Sequence, residues 1–345
     1  MLALLPVMAL PRASALAATT RLVSSRVLFA RGGANARMGT VASSPSVDAA
    51  VPLTSASLIA SDAEAAEWTG DLMVVPFYEA AEKDKPIELS PAAAALDEAL
   101  SGALTDLIAD AEFEGKAGSS AVVALGRGLP LRRLALVGLG KSGELKQASA
   151  RKFGASVASV AKEAKAKKAA ALLPSDAGGG ALTSALQQAA MEAALLALSP
   201  DMRFKASGAD AADTKLPALE ELHVLGGADP PALSRARSVS AGVLLTRGLV
   251  ASPANYVTPT ALASAAKGLA DEFGTMRLTV LEQKQIEARG MGAYLGVSQG
   301  ASEPPKFIHL TYSPKGGATR KVALIGKGLT FDSGGYNIKA RPPIH

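Results

Sequence analysis

The residues best suited to chemistry lie in one stretch, Val322-Ala-Leu-Ile-Gly-Lys-Gly-Leu-Thr-Phe-Asp-Ser-Gly-Gly-Tyr-Asn-Ile-Lys339. It carries Lys327, Asp332 and Lys339 among four glycines. An aspartate is an oxygen donor for a hard divalent cation. A lysine amine binds a cation only when neutral, and burial beside divalent charge would disfavour its ammonium form. A lysine that stays charged can instead polarise a carbonyl and stabilise the oxyanion formed there. Two such ions a few ångströms apart would bridge a water, lower its pKa and hold a substrate amine. Glycines let the backbone come close to an ion and its substrate. A lone Gly-Lys-Gly or Asp-Ser-Gly-Gly would read more simply as a glycine-rich strand and loop with incidental lysines.

Other donor chemistry is scarce. The chain has no cysteine, which excludes disulfides, thiolate metal sites and cysteine nucleophiles. Its three histidines, His223, His309 and His345, are not spaced as a ligand pair. A metal site must then rest on oxygen and amine donors.

A second glycine-rich turn, Leu134-Ala-Leu-Val-Gly-Leu-Gly-Lys-Ser-Gly143, matches two phosphate loops in part. Gly138, Gly140 and Gly143 form G-x-G-x-x-G between an expected strand and an expected helix, as a dinucleotide site requires. The acid that should follow is poorly placed: Glu163 lies mid-helix and Asp176 comes too late. Gly140-Lys141-Ser142 has the end of a Walker loop, but Ala135 stands where that loop needs glycine. A tight strand-to-helix turn accounts for the segment more simply. A dinucleotide-binding α/β enzyme using Gly138, Gly140 and Gly143 is the alternative.

The elements that position these residues alternate. Strands are expected at Leu72–Phe77, Ala121–Leu125, Leu134–Leu139, Ala169–Leu173, Leu222–Leu225, Leu278–Leu281, Phe307–Thr311 and Val322–Ile325. Helices are expected at Pro91–Ala109, Leu145–Lys168, Ala181–Leu198, Ala232–Val250 and Pro259–Phe273. This order predicts an α/β fold with a mostly parallel sheet. The last strand, buried, would deliver Lys327, Asp332 and Lys339 to a sheet edge, and open α/β sheets bind ligands at carboxyl ends of strands. The stretch Ser199–Ala218 reads as a loop. The break at Gly226-Gly227-Ala228-Asp229-Pro230-Pro231 marks a domain boundary followed by a connecting helix. The lysine-rich run Lys162–Lys168 is expected on the solvated face of a helix, with no interleaved aromatics to suggest nucleic acid.

The net charge of +5 comes from the N-terminus. Residues 1–47 hold Arg12, Arg21, Arg26, Arg31 and Arg37, with no lysine and no acid before Asp48. Without those five, the 36 basic residues fall to 31, equal to the 31 acidic ones, which removes the argument for a polyanion partner. The Ala/Ser/Arg-rich composition is that of an organelle transit peptide. A short apolar run, Leu2–Leu10, precedes it, and Ala13-Ser14-Ala15-Leu16-Ala17 offers small residues for cleavage. That two-part order resembles a plastid presequence; a mitochondrial presequence, a secretory signal or a cytoplasmic tail are the alternatives. No body segment reaches the roughly 18 apolar residues of a membrane helix.

The stretch Gly326–Lys339 resembles the signature strand and loop of the leucyl (cytosol) aminopeptidase family. Two upstream segments resemble the same family in order and spacing: Thr246–Pro259, which would open the catalytic domain, and Gly290–Pro305, the loop before its next strand. The resemblance covers roughly residues 60–340. It implies a macro-like N-terminal α/β domain over 55–230, after a targeting presequence over 1–50. It further implies that 231–345 is the first part of a zinc-peptidase-like catalytic domain. It implies Lys327 and Asp332 as metal ligands, Lys339 as the catalytic lysine, two divalent ions (zinc or manganese), and a homo-hexamer. The substrates would be peptides with a free N-terminus and often an apolar first residue, with neither nucleic acid nor membrane as partner. After Lys339 the chain reads Ala340-Arg-Pro-Pro-Ile-His345, and the family's second aspartate ligand, its Asp-x-Glu pair and its arginine are not met. The expectation is an incomplete site that binds metal weakly and lacks activity as 345 residues. A regulatory partner of full-length subunits is a further alternative.

Overall fold

The computed structural model describes residues 56–332, apart from 81–85, 127, 144, 176–179, 181 and 205–217. The expected presequence, Asp176 and Lys339 lie outside the described residues. Contacts divide the described chain into two compact units, one ending at Ala251 and one beginning at Ser252.

The first unit is built on a six-stranded sheet in the order β1 (Ser57–Ala60), β6 (Glu221–Leu225), β5 (Lys168–Leu172), β2 (Gly70–Tyr78), β4 (Leu131–Gly140), β3 (Ser120–Ala124). All pairs are parallel except β3 with β4. Leu72–Val75 and Leu134–Val137 are fully buried as continuous runs, the pattern of parallel strands covered on both faces. Alternate residues serve opposite faces. On one face Leu72, Val74, Ala135 and Val137 meet Phe153 and Val157 of α3 (Gln147–Glu163) and Met191 of α4 (Ser184–Ala197). On the other, Met73, Val75, Leu134 and Leu136 meet Trp68, Leu96 of α1 (Pro91–Ala99) and Leu104 of α2 (Ala103–Asp110). Helix α5 (Pro230–Ala251) packs on α4 and reaches β1, so its contacts lie with this unit.

Two close approaches fix the helix layer. A Cβ at Gly154 would lie 1.8 Å from the Ala190 carbonyl oxygen, so only glycine allows α3 and α4 to cross there. Gln187, 2% exposed, donates from Nε2 to the Leu182 and Gly227 carbonyls (2.9 and 3.0 Å). Its Oε1 accepts from the Asp229 N–H (2.7 Å), which ties the turn before α5 to α4.

Several expectations need correction. The helix expected over Pro91–Ala109 is two helices. Ser101 and Gly102 turn left-handed between them (φ 56° and 87°), and the Asp97 carboxylate caps the second by accepting from the Leu104 and Thr105 N–H groups. The lysine run leaves its helix at Ala164: Lys165 is left-handed (φ 48°), and Lys168 already belongs to β5. Asp71 of β2 enforces that exit by accepting the Lys167 and Lys168 N–H groups at 2.9 and 3.1 Å. Burial pushes the Asp71 carboxyl up, but those two N–H groups and the guanidinium groups of Arg132 and Arg133 outweigh it and hold the pKa below its ordinary value.

The second unit is smaller. Helix α6 (Pro259–Glu272) starts at Thr258, whose hydroxyl accepts from the Ala261 N–H, with Pro259 at the first helical position. Strands β7 (Met276–Leu281) and β8 (Phe307–Tyr312) form an antiparallel pair, with Met276 opposite Tyr312 and Leu281 opposite Phe307. Between them lie α7 (Gln283–Glu287), opened by a Glu282/Gln285 capping box, and α8 (Gly292–Ser298). The buried strand expected at Val322–Ile325 is not formed. Residues 319–332 take no regular structure, with Val322 and Ile325 55% and 72% exposed. A buried strand needs a ladder partner and cover on both faces, and the described residues of this unit supply neither. Among the described residues no helix is long and apolar enough to cross a membrane.

Candidate active site

Lys327 and Asp332 come together on the segment after β8. Lys327 Nζ lies 3.7 Å from Asp332 Oδ2, and the two side chains are 74% and 56% exposed. They sit on an open, irregular segment and not on the sheet edge expected from sequence. Lys339, the expected catalytic lysine, lies outside the described residues.

Beside the pair is a cleft of about 470 Å³. Pro259 and Leu262 of α6, Tyr294 and Val297 of α8, Ile308 of β8 and residues 325–331 line it. Two of its lining residues, Tyr294 and Lys306, are held by further contacts. The Tyr294 hydroxyl donates to the Lys306 carbonyl at 2.6 Å, and its ring meets Phe307 edge-on, with centroids 5.9 Å apart. Burial pushes the Tyr294 phenol above its ordinary pKa. Lys306, 13% exposed, is paired with Glu282 at the start of α7. Tyr294 stands within Gly290–Pro305, a segment singled out from sequence. Leu262, Ile308 and the Lys306–Glu282 pair carried no such signal, because each is an ordinary core or surface residue until the elements meet.

The donor set can be tested against a metal. Two ligands of one ion, each roughly 2.0–2.2 Å from it, stand at most about 4.4 Å apart. The 3.7 Å separation meets that limit. Two donors do not fill a coordination shell, however. Among the described residues no group of three or more His, Asp or Glu side chains could hold an ion. Of the histidines, His223 is engaged elsewhere, with Nε2 2.9 Å from Glu221 Oε2 and its ring edge-on to Trp68. His309 lies near Thr311 on β8, and neither joins the pair. Lys327 and Asp332 could by themselves supply only part of a ligand set.

The other glycine loop is accounted for by packing. Gly138 donates its N–H to the Ser119 carbonyl (2.8 Å) and accepts from Gly118 (2.9 Å), while Gly140 donates to Gly115 (2.9 Å). A Cβ on Gly138 would lie 2.1 Å from the Lys116 carbonyl oxygen. Gly140 and Gly143 have φ of 81° and 85°, as a tight turn needs. A phosphate loop must offer free N–H groups, and those of Gly138 and Gly140 are already donated. This geometry removes the support for the dinucleotide alternative.

Comparison with known proteins places the Gly326–Asp332 segment inside a matched domain. The description "Cytosol aminopeptidase family, catalytic domain" matches residues 244–345, and "Cytosol aminopeptidase family, N-terminal domain" matches residues 74–208. A probable cytosol aminopeptidase of Cyanothece sp. (strain PCC 7425) is 44% identical over 276 residues, covering 80% of this chain and 54% of that protein. One from Nostoc punctiforme is 43% identical over 280 residues, covering 81% and 54%. The chain spans about half the length of the curated relatives it matches. Among solved structures, a Lys-to-Glu mutant of tomato leucine aminopeptidase superposes with a TM-score of 0.66 at 32% identity, covering 81% of this chain and 55% of that one. With both domains of one family matched in order, and the fold shared with a solved member, this chain belongs to the cytosol aminopeptidase family.

Proposed function

We propose that the protein works as a metal-dependent, leucyl-type aminopeptidase that releases N-terminal amino acids from peptides. The observation that carries this reading is the approach of Lys327 to Asp332 on a glycine-rich segment, inside the residues matched by the family's catalytic domain. Asp332 brings a carboxylate that balances cationic charge, and Lys327 brings a nitrogen donor once it has lost its proton. Lys339, kept protonated, lies seven residues beyond Asp332 in sequence and would stabilise the oxyanion at the scissile carbonyl. The divalent ions, zinc or manganese, would acidify a bound water and polarise that carbonyl. The reading includes a plastid presequence over 1–50, an N-terminal domain over 55–230, a catalytic portion from 231, and assembly as a homo-hexamer.

The test uses the protein purified from its native source and a chromogenic leucyl amide. Hydrolysis should stop on chelation and return with zinc or manganese. Absence of hydrolysis under every metal condition would overturn the proposal.

A further inference from the structure

We infer that β3 is a contact strand through which two copies of this chain pair edge to edge, antiparallel about a two-fold axis at Val122. β3 ends the six-stranded sheet, and among the described residues β4 is its one neighbouring strand. Its ladder fixes which backbone groups that leaves. The Ser119 carbonyl accepts from the Gly138 N–H at 2.8 Å, and the Leu125 N–H donates to the Arg132 carbonyl at 2.9 Å. Alternate residues of an antiparallel strand bond to opposite sides. Ala121 and Val123 therefore also face β4, while Ser120, Val122 and Ala124 turn their N–H and C=O groups away from it. The side chains alternate too. Ala121, Val123 and Leu125 pack on the core, whereas Ser120, Val122 and Ala124 are exposed, Val122 by 43%.

Sheets ordinarily guard such an edge with lysine, proline or a bulge. Ser120-Ala-Val-Val-Ala124 carries no charge and no proline, and its register with β4 runs without a bulge. The nearest charges along the chain lie outside it. Glu114 and Lys116, bonded to each other, precede the strand, and Arg127 and Arg132 follow it, Arg132 lying 3.5 Å from Asp71. The edge thus fits an uncharged strand with small side chains, and a second β3 meets that description. About a dyad at Val122, Ser120 faces Ala124 of the second copy and Val122 faces its own equivalent, each pair exchanging both backbone bonds. No like charges come opposite one another along the strand, and the two Val122 side chains cover each other. The contact is isologous, as a two-fold pair requires, and joins the two six-stranded sheets into one.

The inference rests on the edge of the first unit, and neither on the proposed activity nor on assembly as a hexamer. The full chain has no cysteine, so single substitutions report the contact without ambiguity. Residues opposed at the dyad have Cα atoms about 5.5 Å apart, within reach of a disulfide. Under mild oxidation Val122→Cys should give covalently linked pairs of chains. Ser120→Cys is also exposed but stands about 14 Å along the strands from its equivalent, and should stay unlinked. Val122→Lys sets two ammonium groups against each other and should weaken association about tenfold in analytical ultracentrifugation, with circular dichroism checking the fold. Failure of Val122→Cys to link, equal linking by Ser120→Cys, or association unchanged in Val122→Lys would overturn the inference. A wild-type mass of two chains, with Val122→Cys linking, would sink the hexamer and leave the β3 contact standing.

Discussion

Asp332, Lys327 and Lys339 are proposed to act in different ways, and their substitutions should separate accordingly. Replacing Asp332 by Ala removes a metal-ligand oxygen, so the assembled enzyme should lose tight binding at one site, and hydrolysis with it. Lys339→Ala removes only charge stabilisation of the transition state. Metal content should stay unchanged, KM should move little, and kcat should fall by about 10²–10³-fold. Metal analysis beside steady-state kinetics reads both quantities, and full turnover in Lys339→Ala would exclude the catalytic role. Away from the site, Gln187 is the residue whose loss should cost most for its size. Its amide satisfies two buried carbonyls and one N–H. Gln187→Ala leaves all three without partners and should destabilise the first unit by about 2–3 kcal/mol in urea unfolding. A change below 0.5 kcal/mol would mean that water enters and replaces the side chain.

At the scale of elements, the crossing of α3 over α4 depends on Gly154. A methyl group 1.8 Å from the Ala190 oxygen cannot be absorbed by a side-chain rotation, because the obstacle is backbone. Gly154→Ala should cost about 3 kcal/mol, read as a lower thermal midpoint, and a neutral effect would show that the helices can part. The tie between β2 and β5 has a pH signature. Because the Asp71 pKa is lower folded than unfolded, its contribution is fully present above the unfolded value and is lost as pH falls through the folded one. Stability should therefore decline below about pH 4, where the unfolded carboxyl binds its proton first. Asp71→Asn should remove that component, so a parallel decline in wild type and variant would discard it. Sequence shows the strands of the first sheet because runs such as Leu72–Val75 are buried on both faces and need no neighbour to be recognised. It misses β1, four residues with weak strand character, and the split between α1 and α2, which depends on the reach of Asp97 to Leu104. Lys327 and Asp332 were legible as a motif. Their exposure was not, because an apolar run such as Val322–Ile325 reads as a buried strand from sequence whether or not the described fold gives it a ladder partner and cover.

At the scale of the whole molecule, the contrast is between a first unit with two large cores and an N-terminal stretch of different chemistry. Residues 1–47 hold five arginines and no acid, while the rest is balanced in charge, which is the basis for proposing an organelle presequence. The fold narrows where such a presequence can be removed. Ala56 is fully buried, and its carbonyl accepts from Arg237 Nη1 of α5. The Ser57 N–H donates to the Glu220 carbonyl at 2.8 Å as β1 begins its pairing with β6. Cutting beyond Ala56 would strip an edge strand and leave the neighbouring edge of β6 without its ladder partner. Processing should therefore end between about residue 35, near Arg37, the last arginine of that stretch, and Ala56. N-terminal sequencing of the protein from its native source reads the site directly. An intact Met1 would dismiss the presequence, and a start beyond Ser57 would mean that β1 is dispensable to the sheet.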